Sequence, residues 1–265
     1  MIIVKSAREI ELMRKAGNIV ACVFEALKPM LKAGVTTLEL DQKAEEVIRS
    51  HGAIPTFKGY GGFPGSICIS VNDTLIHGIP SNKIILKDGD LVSLDVGATY
   101  QGYVGDAARS YLVGVGKKED IDLILSTRNS FFEAVKLIAP GVHLGDISEK
   151  IQQYNEKNGY SLPRDYTGHG VGAHLHEDPS IPNYGKAGTG LILMEGMCLA
   201  IEPMVAKGKH NTRVLNDEWT VKMKDGKNGA HYENSIAVTK DGYEILTKLT
   251  GQSEDDLKEE KIINV

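Results

Sequence analysis

Two aspartates lie eleven residues apart, Asp95 behind the apolar run Leu91-Val92-Ser93-Leu94 and Asp106 within Gly105-Asp106-Ala107-Ala108-Arg109. A glycine- and tyrosine-rich turn, Gly97 to Gly105, separates them. Paired as a hairpin, the two segments carry both carboxylates on one face of adjacent strands, with Asp95 at the end of a buried one. Buried carboxylates side by side are costly, because desolvation and mutual repulsion both oppose ionisation, and a divalent cation removes that cost. A salt bridge to Arg109, or turn capping, accounts for these two residues equally well.

Downstream, Thr167-Gly168-His169-Gly170-Val171-Gly172-Ala173-His174-Leu175-His176-Glu177 sets three histidines within eight residues. The interspersed glycines let backbone come close to a site. Extended, the segment projects His174 and His176 to one side. His169 suits a metal, and His176 a nearby hydrogen-bond donor or acid. A lone histidine is more often structural; a cluster flanked by glycines favours function. Glu202 closes the strand-like Met197-Cys198-Leu199-Ala200-Ile201 ahead of Pro203, and Glu233 precedes the strand-like Ile236-Ala237-Val238. Singly, each reads as a strand-end carboxylate facing water. With the aspartates and His169 they make four carboxylates and one imidazole, a set suited to two divalent first-row ions and poor for soft copper. His77-Gly78-Ile79-Pro80, in a loop after a strand, is weak evidence by itself.

These side chains need a frame. Ser6-Ala7-Arg8-Glu9 is a capping-box pattern, followed by Ile10, Met13, Val20, Phe24, Leu27 and Leu31 at helical spacing, which predicts a first helix ending near Gly34. Thr36 to Glu39 opens a second, stopped at Gly52. Strands are expected at Ser66 to Val71, Leu91 to Val96 and Ala107 to Val113. A second helix pair follows at about Glu119 to Ile138 and Leu144 to Asn158, and a charged tail starts at Ser253. Sliding the chain by 107 residues lays Gly34-Val35 on Gly141-Val142, Asp88-Gly89 on Glu195-Gly196 and Leu94-Asp95 on Ile201-Glu202. Coincidence among common residue types competes with duplication here. If duplicated, two α+β halves bring Asp95 and Glu202 together across a pseudo-axis.

The bulk numbers are permissive. A chain of 265 residues, 42% hydrophobic and 25% charged, buries a proper core. A formal charge of −5 argues against a nucleic-acid binder. Cys22, Cys68 and Cys198 have neither disulfide-framework nor zinc-finger spacing. No segment reads as a signal peptide or bilayer span, and a reducing cytoplasm is the expected location.

In order along the chain, Cys68-Ile69-Ser70-Val71-Asn72 with His77-Gly78-Ile79-Pro80, Asp95-Val96-Gly97 with Gly105-Asp106, Gly168-His169-Gly170-Val171-Gly172, Ile201-Glu202-Pro203 and Tyr232-Glu233 together resemble the type I methionine aminopeptidases. The resemblance runs from about Ser6 to Thr247. It implies the pita-bread fold, an α+β class with two pseudo-symmetric halves around a curved antiparallel sheet. One catalytic domain is expected over 1–250, with halves at about 6–115 and 116–250 and a tail at 251–265. Carried over residue by residue, Asp95 resembles a bidentate ligand of one metal, Asp106 a bridge, His169 and Glu202 ligands of the other metal, and Glu233 a second bridge. His77, His176 and Glu202 are implied as catalytic, the two histidines as non-ligands that contact substrate.

By the same resemblance Tyr60, Phe63, Cys68, Leu175 and Trp219 wall an apolar pocket for an unbranched thioether. Phe57 stands where a cysteine is expected near the mouth, and Leu175 where some relatives carry phenylalanine; both keep the wall apolar. The implied cofactors are two divalent ions per chain, cobalt, manganese, iron or zinc. The implied substrate is the N-terminal methionine of nascent polypeptides with a small second residue. The enzyme is expected to be a monomer working near the ribosome, without nucleic-acid specificity or membrane attachment. The N-terminus carries no Cys/His-rich extension, and the interval from His169 to Glu202 has no room for the type II helical insertion, so a bacterial, stand-alone enzyme is implied. A proline-specific aminopeptidase or dipeptidase of the same fold is the alternative. A binding protein that has lost its metals is disfavoured, since all five ligand positions carry competent residues.

Overall fold

In a computed structural model, which describes residues 1–264, the helix signals act where the side chains place them. Ser6 Oγ accepts from the Glu9 amide while Glu9 accepts from the Ser6 amide, and helix α1 runs Ala7–Leu27. It stops there rather than near Gly34 because Pro29 has no N–H to continue the ladder; one 3₁₀ turn, Lys28–Met30, follows. Thr36 and Glu39 cap α2 (Thr37–Ser50) in the same reciprocal way. Five strands come next: β1 (Ile54–Pro55), β2 (Cys68–Val71), β3 (Thr74–Ile76), β4 (Leu91–Tyr100) and β5 (Tyr103–Val113). The second half opens with α3 (Lys118–Val135) and α4 (Leu144–Lys157), then β6 (Thr167–Gly170), β7 (Glu177–Pro182), β8 (Cys198–Ile201) and β9 (Met204–Ala206). It continues through β10 (Thr212–Val214), β11 (Val221–Met223), β12 (Gly229–His231), β13 (Asn234–Thr239) and β14 (Gly242–Ile245). A short α5 (Glu254–Lys258) and β15 (Ile263–Asn264) complete the order.

The repeat is visible in the architecture. Helices α2 and α4 lie 107 residues apart at both ends, and the bridge Thr36–Ile85 recurs as His143–Ile192 at the same spacing. Beside the smaller sheets β10-β11-β3 and β12-β9, one five-stranded sheet orders β1-β4-β5-β15 with β2 also on β4, and a second orders β14-β13-β8-β6-β7. They meet where Ala108 and Glu233 exchange backbone hydrogen bonds of 3.3 and 2.9 Å. Helices cover the outer faces. Val20, Phe24 and Leu27 of α1 pack over Val92, Leu94 and Val113, while Phe131 of α3 and Ile151 of α4 pack against Leu199 and Ile236. Each such fully buried side chain stabilises the fold by roughly 1.5–3 kcal/mol.

The charged segment after Ser253 packs onto this body. Leu257 is buried, β15 pairs parallel to β5, and Glu260 bridges Lys28 at 2.7 Å and Arg109 at 3.3 Å. Among the described residues no helix is long and apolar enough to cross a membrane.

Candidate metal centre and active site

Asp95 and Asp106 come from one hairpin, as their spacing suggested, but the hairpin is longer than expected. Strands β4 and β5 pair without a break from Leu91–Leu112 to Tyr100–Tyr103, so the turn is only Gln101-Gly102 and Asp95 sits in mid-strand rather than at a strand end. Strand alternation then puts Arg109 on the face opposite Asp106. Its guanidinium binds the Glu233 carbonyl, Asn234 Oδ1 and Glu260 behind the site, which excludes the Asp–Arg109 salt bridge. Glu202 follows β8 directly and Glu233 directly precedes β13, and those two strands pair edge to edge.

His169 lies on β6, and its flanking glycines are needed for contact. A Cβ at Gly168 would stand 2.4 Å from the Ala200 carbonyl oxygen, and one at Gly170 2.2 Å from that of Asp178. The His169 Nδ1 lies 2.9 Å from the Gly170 carbonyl, which can only accept, so Nδ1 carries the proton and Nε2 keeps its lone pair. That Nε2 stands 3.5 Å from Glu202 Oε1 and 3.8 Å from Asp106 Oδ2. Residues 171–176 do not form the expected strand: β7 begins at Glu177, and the buried Lys5–Glu177 ion pair at 2.6 Å holds a bend there instead. His174 and His176 consequently do not share a strand face. His176 hangs at the rim, its ring 4.3 Å from that of His169 and its Nδ1 2.7 Å from the Tyr60 hydroxyl.

The electrostatics of this cluster are severe. Asp106 and Glu233 are 3% and 2% exposed, and Asp95 Oδ1, Asp106 Oδ1 and Glu233 Oε1 are sealed from water with no hydrogen-bond partner. Burial pushes the Asp95 carboxyl up to about 7, with the Glu202 charge adding and His231 opposing. Burial also lifts Glu202, and lifts Asp106 and Glu233 with help from neighbouring carboxylates, well above the ordinary range. Burial holds His77 and His169 down to about 4, so both imidazoles are neutral near pH 7. Neutral nitrogen beside crowded, orphaned carboxylate oxygens is the donor set of a divalent cation, and the residues fit one. Two groups of potential ligands, Asp106-His169-Glu233 and Glu202-His231-Glu233, have donor atoms all within 4.8 Å of one another, and they share Glu233. Asp95 lines the same cavity but belongs to neither group.

The profile of metallopeptidase family M24 matches residues 11–240. The chain belongs to metallopeptidase family M24. It is 50% identical over 247 residues to the methionine aminopeptidase of Clostridium acetobutylicum, covering 93% of this chain and 99% of that one. The crystal structure of methionine aminopeptidase from Thermotoga maritima superposes with a TM-score of 0.92 at 46% identity, over 94% of this chain and 100% of that chain. Prolidase from Pyrococcus furiosus matches more distantly, with a TM-score of 0.76 at 25% identity over 93% of this chain and 65% of its own. The resemblance read from the five segments is borne out, and the fold is the pita-bread fold.

Within this M24 chain one cavity of about 100 Å³ gathers the expected residues, several times the space that one water needs. Tyr60, Phe63, Cys68, Leu175 and Trp219 line it together with Phe57, His77, His176, Asp95, Asp106, His169, Glu202 and Glu233. Trp219 is set by an Asx turn in which Asp217 accepts from the Trp219 and Thr220 amides, and its ring meets Phe63 edge-on at 5.2 Å. His77 takes a left-handed backbone, φ 57°, after β3, a cost tolerated mainly at functional positions. Gly78 is obligatory beside it, since a Cβ there would stand 2.1 Å from the Ile69 carbonyl oxygen. His231 is the residue that sequence reasoning passed over. It is two positions before Glu233 and therefore on the same strand face, a period-two signal that was legible.

Proposed function

We propose that this M24 chain hydrolyses the first peptide bond of polypeptides that begin with methionine, favouring a small second residue. One observation carries the reading: four carboxylates, Asp106 and Glu233 buried and Asp95 and Glu202 partly so, share with a neutral His169 a cavity whose apolar wall is of a size for one flexible side chain. Asp95, Asp106 and Glu233 would hold one divalent ion, and Asp106, His169, Glu202 and Glu233 the other; manganese, iron, cobalt and zinc all suit that set. Such a pair supplies Lewis acidity toward a carbonyl oxygen and a lowered pKa for water.

The chain's own groups do the rest. The free α-amino group of the substrate is drawn to the carboxylate cluster, which restricts attack to chain ends. Tyr60, Phe63, Cys68, Leu175 and Trp219 hold the methionine side chain. Glu202, with its raised proton affinity, takes the proton from the attacking water and returns it to the departing amine. In this reading His176 takes the tautomer whose Nδ1 accepts from the Tyr60 hydroxyl 2.7 Å away, so that Nε2–H donates to the developing oxyanion. His77, neutral near pH 7, contacts the scissile nitrogen. Residues beyond the first lead out over the open groove of about 630 Å³ lined by Thr167, His174 and Ser180, which adjoins the cavity at His169 and His176. The reading extends to a monomer acting in the cytoplasm on chains leaving the ribosome.

The test is an assay of metal-replete protein on Met-Ala-Ser, a panel of Met-X peptides, and Ala-Pro peptides. Methionine release from small X, with Ala-Pro left intact, is expected. Cleavage of Ala-Pro without methionine release would replace this reading with a proline-specific one.

A further inference from the structure

We propose that His231 is a metal ligand, a second imidazole facing the dinuclear centre alongside His169. The inference rests on the metal-centre reading above and adds a residue to it. His231 is 2% exposed, and its Nε2 has no hydrogen-bond partner. Yet that atom is 3.3 Å from Glu202 Oε2 and 4.0 Å from Glu233 Oε2. At 3.3 Å the contact is within hydrogen-bonding distance of Glu202 but out of hydrogen-bonding alignment, so the pair does not satisfy itself. What satisfies a nitrogen lone pair and two carboxylate oxygens together is a cation among them. Donor atoms around a single tetrahedral ion, with bonds of about 2.0–2.2 Å, stand roughly 3.3–3.6 Å apart, close to the spacing here.

The ladder gives a second, independent reason. Gly97 pairs with Asp106 in the first half, and 107 residues on Met204 pairs with His231 in the second. His231 therefore occupies the pseudo-symmetric position of Asp106, on the same sheet face as Glu233. Its neighbours keep it there: Ser110 Oγ accepts from the His231 amide at 3.0 Å and donates to the His231 carbonyl at 2.8 Å. The side chain is thus fixed at the backbone and open only at the ring.

X-ray absorption spectroscopy of the full-length protein loaded with two zinc ions tests this, because imidazole rings leave a countable outer-shell scattering signature. Two imidazoles per pair of ions are expected in the unmodified protein, and one in His231→Gln. Glutamine can still donate to Glu202 but cannot supply an imidazole, so zinc affinity by chelator competition should fall more than about 100-fold, beyond the 10–100-fold typical of a residue acting only through a ligand. A single imidazole in the unmodified protein, or a His231→Gln affinity within about 100-fold of it, overturns the proposal and leaves the metal centre standing. Failure of the unmodified protein to retain zinc overturns the centre as well. The count on the unmodified protein decides the matter even if the variant does not fold.

Discussion

The hairpin of the first half and its counterpart in the second start from one plan and end differently. In the first, β4 and β5 run ten and eleven residues and turn through two, Gln101-Gly102. In the second, Pro203 interrupts the ladder between β8 and β9, and residues 208–227 replace the two-residue turn. The register nevertheless continues across the interruption, with Asn234 on Ile201 before it and His231 on Met204 after it. An unbroken hairpin is stiff and delivers two carboxylates at fixed separation. A broken one gives up backbone hydrogen bonds at proline, which has no N–H to donate. In exchange it carries an excursion whose hairpin of β10 and β11 reaches back through β11 to β3 of the first half and sets Trp219 over the cavity. One half thus supplies rigid ligands and the wall residues Tyr60, Phe63 and Cys68, and the other supplies ligands and completes the wall with Leu175 and Trp219.

The sharpest way to break that division is Asp106→Ala, which removes a ligand from the rigid half and leaves every second-half group in place. Loss of more than about 1,000-fold in kcat/KM is expected, equal to about 4 kcal/mol of transition-state stabilisation, with a fall in bound metal by elemental analysis. Full activity with normal metal content would show that Asp106 is not a ligand and that the rigid hairpin contributes at most Asp95. His176→Ala probes the other half. Turnover should drop by about 100- to 1,000-fold, the cost of one oxyanion donor, while both ions stay bound. Retained turnover removes the role given to His176.

Much of this was legible beforehand, and the reasons differ by residue. Capping boxes at Ser6 and Thr36 announce α1 and α2 because their hydrogen bonds are local in sequence. The spacing of 107 survives because α2 and α4 kept one length and the interval from each to the start of β4 or β8 is the same. The bend at 171–176 was not legible: nothing local opposes a strand there, and the cause is Lys5, which is 172 residues from its partner Glu177. The course of Arg109 was hidden for the same reason, since its partner Glu260 lies in a segment whose composition reads as a solvated tail. His231 is a different kind of miss. Its alternation with Glu233 was plain, but only the convergence of Glu202 from another strand gives the ring anything to face.

Metal affinity should depend on pH in a direction set by the two halves together. Every carboxylate of the cluster has its proton affinity raised by burial, to about 7 for Asp95, so a cation must displace protons to bind below that. His169 is held to about 4 and is already neutral above it, so it adds no dependence between pH 5 and 8. Apparent affinity is therefore expected to rise with pH through 6 to 7, by up to about tenfold per unit for each proton displaced, and to flatten above about 7 as far as Asp95 is concerned. Calorimetry in two buffers of different ionisation enthalpy reads the proton release directly. Affinity independent of pH over this range would mean that the carboxylates are ionised without the ion.

Trp219→Ala tests the excursion itself with the smallest effect. The indole touches no ligand; it closes the apolar wall and meets Phe63 and His77 edge-on, with centroids 5.2 and 6.2 Å apart. Its loss opens the wall without disturbing the charge cluster, so about 1–3 kcal/mol of side-chain recognition should disappear, roughly 10- to 200-fold in kcat/KM. Because the pocket grips the methionine side chain equally before and during attack, most of the change belongs in KM. A fall confined to kcat would instead place Trp219 in the chemistry through His77. Unaltered kinetics would make the 208–227 excursion a brace for β3 and assign the pocket wall to Phe63 and Leu175, both fixed in the core without it.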